Sequence, residues 1–135
     1  MHVHKPVKLE RLAGTRIVST PAALDAVDWP QEAIVLRFAA DELYITPPLD
    51  NPGAVLAHDE YAIVIAEGAF SGAWVDEQHA LGLLEHLCEW EIPTARPAFA
   101  QGAVAGIPTK LWLTEGRVLF IVSTPYAHDM EERLV

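Results

Sequence analysis

Six histidines, one cysteine and nineteen acidic side chains are the material for metal, nucleophilic or acid–base chemistry in this chain. Their spacing limits what each can do. His2 and His4 stand two apart near a chain end, where one lone pair grips a divalent ion only weakly. His79 and His86 are seven apart, which on a helix places them on one face but about 10 Å apart along its axis. Two imidazoles bound at about 2 Å each cannot share one ion across that span, so no metal site is expected. Cys88 follows His86 by two residues, and on a helix such a pair points in different directions, so no Cys–His nucleophile forms. The chain has no Gly-x-Ser-x-Gly elbow, no phosphate-cradling Gly-x-x-x-x-Gly-Lys loop and no Gly-x-Gly-x-x-Gly turn. Gly68 to Gly72 is bounded by glycines but lacks a following lysine, which suits a plain turn.

General acid–base work needs one carboxyl with a perturbed proton affinity. Glu89, Trp90 and Glu91 are the cluster of most interest, because two acids at a helix C-terminus oppose its dipole. The plainer reading is a solvated helix end with one indole packed inward. No catalytic residue is assigned, and no residue is assigned to a cofactor.

These groups must be positioned by a chain of one-domain size, with 51% hydrophobic and 21% charged residues. A chain of this size buries about two thirds of its unfolded surface and needs no covalent staple. The lone Cys88 forbids an internal disulfide and fits a reducing, cytoplasmic setting. No apolar run approaches the roughly 20 residues of a membrane span, and the N-terminus has no apolar core of a secretory signal. Nine basic against nineteen acidic residues leave a net charge of −10, which repels phosphate backbones and anionic lipid. Neither nucleic acid nor membrane is an expected partner.

The pattern along the chain predicts one domain over residues 1–135, with residues 1–14 as a loose lead-in. Arg16–Ser19 reads as a strand, and Thr20-Pro21 caps and opens a helix that Asp28-Trp29-Pro30 stops. Ala33–Phe38 and Glu42–Thr46 read as a hairpin around Ala39–Asp41, followed by a Pro47–Gly53 loop. Tyr61–Ile65 and Ala73–Val75 read as strands with a turn at Gly68–Gly72. A helix from Glu77 to Trp90, capped by Asp76, carries Ala80, Leu83, Leu84, Leu87 and Cys88 on one stripe. After a Pro93–Pro97 loop, Ala103–Ile107, Leu111–Thr114 and Arg117–Val122 read as strands, and Thr124-Pro125 opens a last helix to Leu134. Ile17-Val18-Ser19-Thr20-Pro21 recurs as Ile121-Val122-Ser123-Thr124-Pro125. That echo reads either as a duplicated unit or as one strand-to-helix junction built twice; nothing beyond the junction matches. Strands arriving as hairpins, with helices at intervals, predict an α+β fold: an antiparallel sheet with helices on one face.

From Ala33 to Leu134 the order of segments resembles the folate-binding-domain family, which includes the glycine-cleavage aminomethyltransferase and the gamma subunit of heterotetrameric sarcosine oxidase. Leu36-Arg37-Phe38-Ala39-Ala40-Asp41-Glu42-Leu43-Tyr44-Ile45 is similar to the gamma subunit's arginine-initiated strand, Asp-Glu turn and apolar return. Ala80–Leu87 looks like the family's long helix, Phe99–Ala103 like the approach to its next strand, and Phe120–Ala127 like its closing junction. The aminomethyltransferases carry paired aspartates after a Gly-Ile-Ile segment. Here Gly106-Ile107-Pro108-Thr109-Lys110-Leu111 stands there, so Thr109 and Lys110 replace the acids, while Glu91 falls near the aspartate that follows the family's long helix.

The resemblance implies a non-catalytic accessory or structural module of the gamma-subunit kind, working by contact with a protein partner or as a homo-oligomer in one-carbon or amine oxidation metabolism. The Pro47–Gly53 loop and Trp74, Trp90 and Trp112 would supply a rim and aromatic anchors, unless the indoles are core. The alternative it implies is a protein or enzyme of the aminomethyltransferase-like class that binds a folate, such as tetrahydrofolate, or another pterin. An anionic folate tail would meet few cations, because Arg96, Lys110 and Arg117 are the only basic residues between Arg37 and Arg133.

Overall fold

The computed structural model describes residues 5–135. The chain forms two compact units, residues 12–68 and residues 5–11 with 69–135. The boundaries fall after Arg11 and after Gly68. Both units are antiparallel sheets carrying helices. The predicted α+β class therefore holds, with two sheets in place of one.

The lead-in enters the fold earlier than its composition suggests. Leu9 is buried in a core, its N–H donates to Glu131 Oε2 at 2.8 Å, and β1 (Glu10–Arg11) pairs with Gly72 and Ser71. Val7-Lys8-Leu9 is too short a run to reveal this, and the partners of Leu9, Glu10 and Arg11 lie sixty or more residues further along the chain.

In the unit of residues 12–68 the sheet runs β3-β4-β2-β5. It comprises β2 (Gly14–Val18), β3 (Ile34–Ala39), β4 (Glu42–Thr46) and β5 (Ile63–Glu67). The predicted hairpin is β3–β4, with a register shift between Arg37 and Ala39. Helix α1 (Pro21–Ala26) starts as expected, since Thr20 Oγ1 accepts the Ala23 N–H at 3.2 Å and Pro21 opens the first turn. Ile17, Leu43 and Ile45 pack against Ala23, Leu24 and Val55 to form its core. Strand β5 begins two residues after Tyr61. The carboxylate of Asp59 accepts the Tyr61 N–H at 3.0 Å and the Asp59 carbonyl takes the Ala62 N–H at 3.2 Å, which folds Tyr61 into a turn.

The other unit is a five-stranded sheet in the order β1-β6-β9-β8-β7. Its remaining strands are β6 (Phe70–Asp76), β7 (Ala98–Val104), β8 (Ile107–Thr114) and β9 (Arg117–Ser123). Gly72, expected in a turn, lies inside β6 between Glu10 and Ile121. The single strand expected over Ala103–Ile107 is instead the junction of β7 and β8, turned by Ala105 (φ 51°) and Gly106 (φ 81°). A two-residue turn with both φ values positive matches the twist of its strands. Alanine in its first position hid it, because Asn, Asp or Gly is the usual signal there.

Helix α2 (Glu77–Leu87) has its cap where predicted, with Asp76 Oδ2 accepting the His79 N–H at 3.4 Å. It ends three residues before Trp90. The Cys88 N–H makes the last helical bond, to Leu84, and the Leu87 carbonyl is taken by the Ala105 N–H at 2.7 Å. That long-range bond satisfies a carbonyl that a longer helix would have used itself. Helix α3 (Ala127–Arg133) follows a 3-10 turn at Thr124–Tyr126. Ala80 and Leu84 of α2, with Met130 of α3 and Leu134, pack on the sheet face formed by Leu111, Leu113, Val118, Phe120 and Val122. In this unit the helices do sit on one face.

The repeated Ser-Thr-Pro junctions are solved differently. Thr20 caps α1 with its own hydroxyl, whereas Ser123 makes no side-chain cap and Thr124 Oγ1 lies 3.0 Å from Ser71 Oγ. Shared sequence here does not carry shared capping chemistry.

Candidate functional site

Strand β8 carries Thr109 and Lys110, the residues that the sequence resemblance sets against the paired acids of the aminomethyltransferases. Its alternation sends Ile107, Thr109, Leu111 and Leu113 to the helix-covered face and Lys110 and Trp112 to the opposite one. Thr109 is 3% exposed, and its hydroxyl donates to the Ile107 carbonyl at 2.8 Å. A hydroxyl so placed is committed to its own strand. Lys110 lies on the other face, its ammonium 5.8 Å from the centre of the Phe70 ring. Beside it is a shallow depression of about 300 Å3, lined by Gln101, Ala103 and Pro108 among others. The two neighbours in sequence therefore serve opposite faces, and β8 brings no carboxylate to either.

The three central cations are separately engaged. Arg96 donates from Nε to Glu77 Oε2 at 2.9 Å and from Nη1 to the Pro93 and Ala95 carbonyls at 2.7 and 2.8 Å. Arg117 stacks on the Trp74 ring, 3.8 Å from its centre. Lys110 stands over Phe70. No two of them converge on one anion.

Trp90 is a packing residue. Its Nε1 donates to the Ala103 carbonyl at 2.8 Å, and its ring covers Gly102 so closely that a Cβ there would come within 2.6 Å of it. Of the three indoles considered as anchors, Trp74 is the exposed one, at 37%. Glu89 and Glu91 follow α2 in irregular chain, because the helix ends at Leu87. They are not in its last turn, and the dipole argument for a perturbed acid loses its geometry. Glu89 instead rims a depression of about 450 Å3 with His86, Trp90 and Gly106.

Cys88 lies at the border of the core, half-buried, with its thiol 3.6 Å from the Trp90 carbonyl. His79 and His86 line one side of α2, beside a depression of about 370 Å3 that includes Gly82 and Leu83. Among the described residues no three His, Cys, Asp or Glu are placed to hold a metal ion. His2 and His4 lie outside the described residues.

One charged group that sequence reasoning missed is Glu77. Oε1 accepts the Gly116 N–H at 3.1 Å while Oε2 takes Arg96. The Arg96 hydrogen bond, helped by that of Gly116, holds its carboxyl below the ordinary glutamate range. Its partners are 19 and 39 residues away, so no local spacing announces it.

No family model matches this chain, and no curated protein matches it. Among solved structures, a chain of the heterotetrameric sarcosine oxidase from Corynebacterium sp. U-96, determined with pyrrole 2-carboxylate, superposes with a TM-score of 0.71 at 18% identity. The match covers 98% of this chain and 84% of that one. The fold is that of a sarcosine oxidase subunit. At this identity the likeness is one of fold alone, and it extends over both compact units.

Proposed function

We propose that this protein is a non-catalytic accessory module of the gamma-subunit kind, acting in the cytoplasm by contact with a protein partner in amine oxidation or one-carbon metabolism. The observation that carries this reading is the fold likeness over 98% of the chain to a subunit of a four-subunit oxidase. The arrangement at β8 supports it. Thr109 is turned into the core, and the central cations are spent on Glu77, Trp74 and Phe70. Removing a carboxylate that acts as base or charge stabiliser costs orders of magnitude in rate, and β8 supplies none. Among the described residues no helix is long and apolar enough to cross a membrane.

The test is purification of the tagged chain from its native cell. Co-elution at fixed stoichiometry with an amine oxidase or aminomethyltransferase chain is expected. A chain that elutes alone and monomeric at high concentration would sink the reading.

A second reading, binding of a folate or another pterin, draws on the Lys110 depression, where a cation and the Gln101 amide line one wall. Calorimetric titration with tetrahydrofolate tests it, and absence of heat at millimolar ligand removes it.

A further inference from the structure

We propose that the outer edge of β5 is a strand-addition site for an extended, lysine- or arginine-flanked segment of the partner protein. Among the described residues the edge strands of the two sheets are β1, β7, β3 and β5, and the first three are each protected at least in part. Strand β1 has only two residues. On β7 the Trp90 indole donates to the Ala103 carbonyl. Strand β3 is broken by its register shift, where the Arg37 side chain takes the Ala39 and Ala40 carbonyls. Bulges, short strands and side-chain covers are the usual ways of protecting an edge from pairing with another chain.

Strand β5 has none of these. It pairs in unbroken register with β2 along one side, and on its other side every second residue presents an N–H and a carbonyl outward. It contains no lysine, arginine or proline. Val64 packs into the core, while Ile63 and Ile65 project from the other face at 55% and 44% exposure. Tyr61, just before the strand, is 84% exposed. Two β-branched apolar side chains on one face of an open edge are what an added strand uses for specificity, its main chain supplying the pairing.

Charge decides the occupant. Residues 50–67 hold Asp50, Asp59, Glu60 and Glu67 and no lysine or arginine, and the cation on the neighbouring strand, Arg16 opposite Ile65, is held by Glu42. A second copy pairing edge to edge would bring these acids against their own kind. A basic-flanked strand would be drawn to them. The proposal rests on the accessory reading for the partner's existence, but the edge can be tested without it.

The probe is a short synthetic peptide of alternating valine and threonine with lysines at both ends, titrated into the isotope-labelled full chain and followed by amide NMR. The expected result is a shift of the residue 63–67 signals, suppressed by added salt, with no comparable shift in β3 or β7. The same peptide flanked by glutamates should bind about tenfold more weakly or worse, as should the lysine peptide to an Ile63→Thr, Ile65→Thr variant of unchanged melting temperature. No β5 response at millimolar lysine peptide overturns the proposal. So do β5 shifts that grow with protein concentration alone, which would name a second copy as the occupant. In the co-elution experiment, a partner retained undiminished by the double variant overturns the edge and leaves the accessory reading standing. Peptide binding at β5 with no co-eluting partner does the reverse.

Discussion

Arg96 and Glu77 form a fastening between three segments. The guanidinium holds the Glu77 carboxylate and the Pro93 and Ala95 carbonyls, and the same carboxylate holds the Gly116 N–H of the β8–β9 turn. The start of α2, the loop before β7 and a hairpin tip are tied at one side chain.

This fastening predicts a pH dependence. The folded carboxyl of Glu77 titrates below its ordinary value of 4.5, chiefly because of Arg96. A depressed folded value gives stability that is present above the unfolded value and lost as pH falls through the folded one. The wild-type protein should therefore melt higher than Glu77→Gln at pH 7, and the gap should close as pH drops below 4.5. A gap unchanged down to strong acid would show that the ionised carboxylate contributes nothing.

Gly102→Ala should destabilise the protein by about 1–3 kcal/mol, the usual range for overpacking. The new Cβ would stand 2.6 Å from the Trp90 ring and 2.7 Å from the Nε1 that serves Ala103. Pairing it with Trp90→Leu should recover part of the loss, because the smaller side chain vacates the clash. A denaturant melt of the four variants in the cycle measures the coupling, and strict additivity would remove the contact from the account.

Leu84 is 2% exposed and packs in the core beneath α2. Leu84→Ala should cost about 2–5 kcal/mol. A loss below about 1 kcal/mol in a urea melt would mean that the cavity collapses or that α2 contributes little.

Lys110→Ala should leave folding nearly intact, since a single cation–π contact of this kind is worth about 0.5–1 kcal/mol. Any anion-dependent heat that the wild-type chain shows with tetrahydrofolate should disappear in this variant. Equal heats from both proteins would place the ligand elsewhere. The wild-type chain alone should carry out no aminomethyl transfer to tetrahydrofolate, and measurable turnover would overturn the accessory reading outright.

What was legible in the residues is what short-range physics controls. Ala80, Leu83, Leu84 and Leu87 face the core because a helix repeats every 3.6 residues, and Asp76 and Thr20 cap their helices by reaching three residues along. The β3–β4 hairpin followed from two apolar runs around the short Ala39–Asp41 turn. The order of these segments also resembles that of a sarcosine oxidase subunit. Tertiary structure decided the rest. Helix α2 stops at Leu87 because Ala105, eighteen residues on, claims its carbonyl. Gly72 is strand because β1 and β9 flank it. Strand alternation parts Thr109 from Lys110, and only the helix cover on one face of the sheet decides that Thr109 is the buried one. Arg96 is bound to Glu77 and β5 is an edge for the same underlying reason. A side chain's partner and a strand's neighbour are set by contacts between segments far apart in the chain, and no local periodicity encodes which distant segment arrives.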